Sequence, residues 1–192
     1  PHGFLRGHLS TRRGRPLRIH PVIHRHTGTK GKTVRRRDKE ISSRQEIDAI
    51  IRNALVCRIA MANRDEPYLV PVSFGYDGNA LFIHTAKSGR KIDFIEANNR
   101  VCFEFETNVS LKNDDRDACD WTFEFESVIG FGTIIELESA EDKSRGLNQI
   151  MLHYSGREWD IDEAATATTR VWRIEIESVT GKRSVEKPPS SD

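Results

Sequence analysis

The sequence predicts a mainly β fold with flanking helices, built as a small antiparallel barrel or sandwich. Six segments carry strand patterns, and most of them are joined by short turns. Short turns of that kind pair consecutive strands antiparallel. Three helical patterns stand between the strands, and the sequence contains neither an internal repeat nor a glycine-rich nucleotide-binding motif.

The first elements follow from residue 38 onward. Ser43 and Glu46 form a capping box before an apolar stripe at helical spacing, made of Ile47, Ile50, Ile51 and Leu55. Residues 56–62 predict a strand, and residues 68–76 predict a second strand in which Pro71 marks an edge or a bulge. Residues 77–79 (Asp-Gly-Asn) predict a tight turn into a third strand over residues 81–85.

The later elements are read in the same way. Residues 100–107 alternate as a strand, and residues 108–119 are polar and predict a loop. Residues 121–139 give the longest strand pattern, in which Gly130 and Gly132 indicate a bulge or a close approach by another backbone or a ligand, the bulge being favoured. Ser139 starts a helix that ends near Gly156, residues 157–169 form a loop with a helical turn or two, and residues 170–178 form the last strand.

The chain divides into segments of different charge. Residues 1–37 hold 11 of the 30 Lys and Arg residues and no Asp or Glu, so residues 38–192 carry a net charge of −10. We expect residues 1–37 to be a disordered basic extension, residues 38–184 to be one folded domain, and residues 185–192 to be a loose tail.

The basic extension allows two binding functions besides that of a flexible tail. Its arginines, ending in Arg35, Arg36 and Arg37, are of the type that contacts nucleic acid, and a metal would use His20, His24 and His26. A flexible tail is favoured, because no aromatic residues are interleaved with the charges and the histidines lack a further spaced ligand. The acidic folded part also argues against a nucleic-acid groove there.

Hydropathy and cysteine content exclude membrane, secreted and metal-binding classes of protein from the expectation. No apolar run approaches the roughly 20 residues that cross a bilayer, and no secretory signal is present, so we expect a soluble cytoplasmic protein with no membrane partner. The cysteines Cys57, Cys102 and Cys119 have no metal-ligand spacing, and no metal site is predicted. Cys57 and Cys102 lie in apolar strand patterns that are typical of buried thiols.

A basic cluster stands where the second predicted helix, residues 90–98, begins. Ser88 occupies the N-cap position, and Lys87, Arg90 and Lys91 surround it. Three cations at the positive end of a helix repel one another unless an anion lies among them. Backbone N–H groups, a hydroxyl and cations are what a phosphate needs, although a solvated basic turn is the alternative.

Several motifs in order give the chain a family resemblance. They are residues 56–60 (VCRIA), 71–76 (PVSFGY), 81–92 (LFIHTAKSGRKI), 101–104 (VCFE), 127–132 (SVIGFG), 154–159 (YSGREW) and 180–184 (TGKRS). Over residues 35–184 the chain resembles the pyridoxamine 5′-phosphate oxidase-like flavoproteins, in particular the branch related to the nitroimidazole-resistance reductases. Members often start near Val34, so the preceding residues are interpreted as an over-extended start, which mass spectrometry of the native N terminus would test.

This resemblance implies a six-stranded antiparallel split β-barrel that forms a homodimer and holds FMN at the subunit interface. The implied flavin-binding residues are Val72, Ser73 and Phe74 along the isoalloxazine ring, His84 and Thr85 flanking it, Lys87, Ser88, Arg90 and Lys91 at the phosphate, and Ser127 and Val128 from the partner subunit. Flavin supplies the redox chemistry, so the protein needs no nucleophile or metal of its own.

His84 is the candidate catalytic residue, for substrate contact or proton transfer, because imidazole titrates near neutral pH. A polar strand residue that faces solvent is the alternative. The substrate-phosphate residues of the classical oxidases have no counterpart near the C terminus, so the resemblance favours a reductase of small electron-poor organics such as nitroaromatics.

Other functions and residues stay open at this point. A non-catalytic flavin or haem carrier, with His84 or His153 as the axial ligand, and a deazaflavin-dependent reductase are the competing hypotheses. Trp121 and Trp172 are assigned to the core or the dimer interface rather than to a flavin. The signature of Arg157, Glu158 and Trp159 has no role that the sequence reveals.

Overall fold

One antiparallel sheet organises the protein in this computed structural model, which describes residues 36–113 and 117–184. The strands are β1 (Glu40–Ile41), β2 (Cys57–Asn63), β3 (Glu66–Val72), β4 (Gly75–Tyr76), β5 (Ala80–Thr85), β6 (Arg100–Lys112), β7 (Thr122–Leu137) and β8 (Arg170–Arg183). The helices are α1 (Arg44–Asn53), α2 (Arg90–Ala97), α3 (Ala140–Ser155) and α4 (Glu163–Thr168). The mainly β class with flanking helices is thereby confirmed.

The order of the strands makes the sheet an open, curled barrel. The order is β3-β2-β6-β7-β8-β5-β4, and β1 pairs with β8 beside this path. The edge strands β3 and β4 are consecutive in the chain and are joined only by Ser73 and Phe74. Three Cα–Cα steps span at most about 11 Å, so the two edges approach each other there without pairing. The predicted split β-barrel is therefore confirmed.

Two apolar clusters hold the sheet in this shape. The main core fills the inside of the curl and is centred on Phe74, Phe103 and Phe105, with Phe74 and Phe105 ring centroids 4.8 Å apart. A second cluster lies on the outer face of β5, where Phe82 packs with Ile150 of α3. Since α3 covers that outer face, side chains on both faces of β5 are buried, apart from His84.

Local sequence signals place several elements as expected. The Ser43 hydroxyl accepts a hydrogen bond from the Glu46 N–H at the start of α1, and α3 runs from its N-cap Ser139 to Gly156 in the left-handed conformation. Pro71 lies in the edge strand β3, where a residue without a backbone N–H is expected.

The glycines of β7 mark both a bulge and a close approach. The register between β7 and β8 shifts between Phe131 and Gly132. A Cβ on Gly130 would lie 2.2 Å from the Phe103 ring, so that position has room for glycine alone.

Four expectations about elements are wrong. The sheet has eight strands rather than six among the described residues, because residues 66–76 divide into β3 and β4 and because residues 40–41 pair with β8. β6 continues to Lys112, since residues 110–112 pair with β7 beyond an irregularity at Asn108. β8 continues through Val179 to Arg183, paired with β7 and β1. Leu55 is 77% exposed, because α1 ends at Asn53.

The predicted basic extension of residues 1–37, with His20, His24 and His26, lies outside the described residues apart from Arg36 and Arg37, and so does the predicted tail of residues 185–192. In the part of the chain that the structure describes, no helix is both long and apolar enough to span a membrane.

Candidate functional site

The start of α2 has no capping side chain. The predicted cap at Ser88 is wrong, because Gly89 is the N-cap residue and makes no side-chain hydrogen bond. Gly89 has φ +136°, a conformation that other residues rarely adopt, and a Cβ there would meet nothing within 4 Å. Its carbonyl accepts from the N–H groups of Ile92 and Asp93. Of the first turn, only the N–H groups of Arg90 and Lys91 have no acceptor among the described residues, and free N–H groups at a helix start suit an anion.

The cations of this turn differ in their surroundings. Arg90 forms an ion pair with Glu66 on the edge strand β3, and its guanidinium lies 4.9 Å from the ring centroid of Tyr68. Lys91 is half-buried, and burial lowers its pKa. Lys87 and Ser88 are exposed. An anion at the helix start would meet Arg90 and Lys91 of the first turn, and Glu66 is a residue that sequence reasoning missed.

Thr85, the last residue of β5, precedes this turn and is held by two hydrogen bonds. Its side chain is 8% exposed, accepts a hydrogen bond from the indole Nε1 of Trp172 (3.0 Å), and donates one to the Ala86 carbonyl (2.9 Å). In this arrangement its only hydroxyl proton is engaged, so Thr85 positions the turn rather than donating to an anion. Trp172 belongs to the core, as expected.

His84 lines a cavity of about 450 Å³ on the outer side of β5. The other lining residues come from α3, from the segment before α4 and from the residue between α4 and β8; they are Leu147, Ile150, Met151, Trp159, Asp160, Ile161, Asp162 and Thr169. The cavity walls remove part of the hydration of His84, and burial lowers its pKa below the ordinary 6.5. The positive charge of Lys91 lowers that pKa further. His84 is therefore neutral at neutral pH and can both donate and accept a hydrogen bond.

Replacing Lys91 with methionine is expected to raise the pKa of His84, because the variant removes the charge that opposes protonation. The measurement is an NMR pH titration of the imidazole, with its signal assigned through a His84→Gln variant. Lys87→Met is the matched control and should leave the titration unchanged. An unchanged His84 pKa in Lys91→Met would show that the two side chains do not interact.

Trp159, the last residue of the signature that follows α3, lines this cavity. The Trp159 N–H donates to Asn148 Oδ1, and its indole Nε1 donates to the Ser155 hydroxyl, both at 2.8 Å. The Arg157 guanidinium lies 3.9 Å from the Trp159 ring centroid. These contacts show how Arg157 and Trp159 are held, in a motif whose role the sequence alone did not reveal.

The segment predicted to lie along a flavin ring is mostly buried. Val72 and Phe74 face the core, and Ser73 between them is exposed. The Phe74 N–H donates to the Tyr154 hydroxyl, which itself donates to the Leu55 carbonyl. Only the Ser73 side chain and the backbone of this link therefore face outward.

Tyr154→Phe is expected to lower the free energy of unfolding by about 1–3 kcal/mol, because it leaves the Phe74 N–H and the Leu55 carbonyl without this partner. Urea denaturation measures the change. Tyr68→Phe, which removes a hydroxyl at the edge strand, serves as the control. Equal stability of the two variants would contradict the proposed importance of the Tyr154 hydroxyl.

His153 is engaged in the same region. Its Nε2 lies 2.9 Å from the Ala54 carbonyl, and its ring packs 4.2 Å from that of Phe74. Those contacts hold the segment after α1 and disfavour His153 as an axial haem ligand.

Ser127 and Val128 are not brought to the α2 turn within one chain. Ser127 pairs with Lys182 on β8, whereas Thr85 pairs with Arg170, 12 residues away along the same strand. That separation corresponds to as much as about 40 Å of extended strand. Val128 is also fully buried in the core. A joint site would therefore need Ser127 from a second chain.

Comparison with known proteins extends this description. Residues 43–183 match the family model described as pyridoxamine 5′-phosphate oxidase. A curated uncharacterized protein of Rhizobium meliloti is 30% identical over 76 residues, which cover 38% of this chain and 50% of that protein. The chain thus spans half the length of this relative.

Two solved structures have similar folds. A proposed 5-nitroimidazole antibiotic resistance protein from Bacteroides thetaiotaomicron has a TM-score of 0.67 and 28% identity, covering 83% of this chain and 96% of that chain. An FAD- and haem-binding protein from Mycobacterium smegmatis has a TM-score of 0.69 and 18% identity, covering 80% of this chain and 77% of that chain.

Proposed function

The chain belongs to the pyridoxamine 5′-phosphate oxidase family, and from this premise we propose that it is an FMN-dependent oxidoreductase that reduces small electron-poor organics such as nitroaromatics. The observation that carries the proposal is the uncapped, cation-rich start of α2 beside the His84 cavity. The start of α2 would hold the flavin phosphate, and the His84 cavity would admit a substrate.

The residues present fit an FMN phosphate. The helix start offers free N–H groups, Gly89 leaves open space in front of them, and Lys87, Arg90 and Lys91 supply positive charge. The Arg90–Glu66 ion pair is exposed on both sides, and such pairs contribute only about 0–1 kcal/mol. Arg90 can therefore bind a phosphate with other N–H groups of its guanidinium or exchange Glu66 for it.

Flavin would supply the electron transfer when bound. The protein would position the phosphate at α2, present the Ser73 backbone link to the ring, and offer neutral His84 as a hydrogen-bonding or proton-transferring group to a substrate in its cavity. The resemblance to the Bacteroides thetaiotaomicron protein supports the nitroaromatic substrate class.

A homodimer is part of the proposal, because Ser127 can join the site only from a second chain. β7 carries an exposed apolar row, formed by Ile129, Phe131 and Ile135, although it is a central strand of the sheet. Exposed apolar rows of this kind are typical of protein interfaces.

Phe131→Glu is expected to convert the dimer into a monomer, because it buries a charge in that apolar row. Light scattering coupled to gel filtration measures the mass, and circular dichroism checks that the fold is retained. We also expect weaker FMN binding in the monomer. A folded Phe131→Glu variant that remains dimeric would place the interface elsewhere.

The direct test of the activity is anaerobic. The FMN-loaded protein is reduced with dithionite and mixed with a 5-nitroimidazole, and the return of the oxidised flavin absorbance is followed. We expect reoxidation to be rapid with the parent protein and at least about tenfold slower with His84→Ala. Reoxidation no faster than that of free reduced FMN would contradict the proposed reductase activity.

A further inference from the structure

Trp159 is held rigidly on the cavity wall, although the phosphate site does not need it. Two hydrogen bonds fix it, from its backbone N–H to Asn148 and from its indole to Ser155, and Arg157 lies over its ring. The side chain nevertheless stays 44% exposed. A large apolar side chain that is both immobilised and exposed in a cavity is suited to ligand contact, since little conformational entropy remains to be lost on binding.

The rest of the cavity suits a flat, mostly apolar molecule. Leu147, Ile150 and Met151 of α3 provide apolar surface, and neutral His84 is the polar group contributed by β5. A volume of about 450 Å³ accommodates a small ring compound.

We propose that Trp159 is a specificity-determining residue, whose indole is the stacking platform for planar, uncharged, electron-poor aromatic rings in the cavity that His84 also lines. This inference rests on the proposed function, because it names the substrate class of the same site. An electron-rich indole attracts an electron-poor ring, and offset stacking tolerates rings of different outline.

The charges around the cavity disfavour an anionic ring. Asp160 and Asp162 line it, and Lys91 is the cation that interacts with His84. A phosphate bound at α2 would offset the charge of Lys91, and Asp160 would then repel an anionic ring. A neutral 5-nitroimidazole should therefore bind more tightly than nitrobenzoate.

The test measures binding and turnover in parallel. Calorimetry of the full chain, with and without FMN, gives the dissociation constants of a neutral 5-nitroimidazole and of nitrobenzoate. Stopped-flow mixing of the dithionite-reduced, FMN-loaded protein with the ring compound gives the limiting rate of flavin reoxidation and the half-saturating concentration, and a desalting column gives the FMN retained. The variants are Trp159→Ala and Trp159→Phe, and Glu158→Ala is the control from the same segment that does not line the cavity.

We expect Trp159→Ala to weaken nitroimidazole binding and to raise the half-saturating concentration by about tenfold or more, with the limiting reoxidation rate and FMN retention unchanged. Trp159→Phe should recover most of the lost nitroimidazole affinity, and Glu158→Ala should bind nitroimidazole as tightly as the parent. Asp160→Asn should reduce the ratio of nitroimidazole affinity to nitrobenzoate affinity. Unchanged nitroimidazole binding in Trp159→Ala would overturn the inference. Loss of FMN together with the ring ligand would also overturn it, since the indole would then hold the flavin. If the parent binds the ring but retains no FMN, the proposed function fails while the stacking role stands.

Discussion

Replacement of both Arg90 and Lys91 by alanine is expected to weaken FMN binding by at least about a hundredfold, because each charged hydrogen bond to the phosphate contributes about 1.5–3 kcal/mol. The helix start keeps its free N–H groups in this variant, so residual binding is expected rather than complete loss. Titration of the apoprotein with FMN, followed by quenching of flavin fluorescence, measures the dissociation constant.

Two further variants sharpen this experiment. Arg145→Ala/Lys112→Ala removes two cations elsewhere and keeps the same net charge, so it should bind FMN like the parent. Glu66→Gln removes the carboxylate that pairs with Arg90, so it should bind FMN more tightly than the parent. An equal loss in the two double variants would mean that only overall charge matters and that the α2 turn is not the phosphate site.

Gly75→Ala is expected to destabilise the protein by about 1–3 kcal/mol or more, because its Cβ would lie 2.3 Å from the backbone carbonyl carbon of Gln149 and 2.5 Å from the N atom of Ile150. The backbone of α3 cannot yield as a flexible side chain would, so β4 and α3 must separate. Urea denaturation measures the loss of stability. Asn79→Ala, which truncates an exposed side chain on the following turn, is the control and should change stability by no more than about 0.5 kcal/mol.

The same substitution also bears on the site. α3 supplies Leu147, Ile150 and Met151 to the His84 cavity, so its displacement should weaken ring binding as well. Parent-like stability in Gly75→Ala would contradict the close packing of β4 against α3.

The sequence was informative where a signal is local. A serine followed three residues later by glutamate marks the start of α1, and glycines within an apolar strand mark the bulge of β7. Pro71 indicates an edge strand because proline lacks the N–H that a central strand needs. The basic turn before α2 was also visible, since Lys87, Arg90 and Lys91 are neighbours in the chain.

Contacts between distant residues could not be predicted in this way. The pairing of Glu66 with Arg90, the bond from Trp172 to Thr85 and the position of Trp159 beside His84 depend on which elements the curled sheet brings together. The N-cap of α2 shows that a local prediction can also miss by one residue. Ser88 is the better capping residue, but the turn needs a positive φ, which glycine adopts without strain, so the cap falls at Gly89.

Haem and deazaflavin are the cofactors that compete with FMN. The Mycobacterium smegmatis protein that binds FAD and haem is only 18% identical to this chain, so its likeness concerns the fold. His153 is engaged with Ala54 and Phe74, which leaves His84, among the described histidines, as the better candidate for an axial ligand.

The central claim is that the chain binds FMN, and the visible absorbance spectrum of the purified full-length chain tests it most directly. The protein is incubated with FMN, desalted and scanned beside Arg90→Ala/Lys91→Ala. We predict the two flavin bands at about one FMN per chain in the parent, their loss in the double variant, and no Soret band. A parent protein that emerges from the column without flavin bands would contradict the claim, and a Soret band in its place would assign the site to haem.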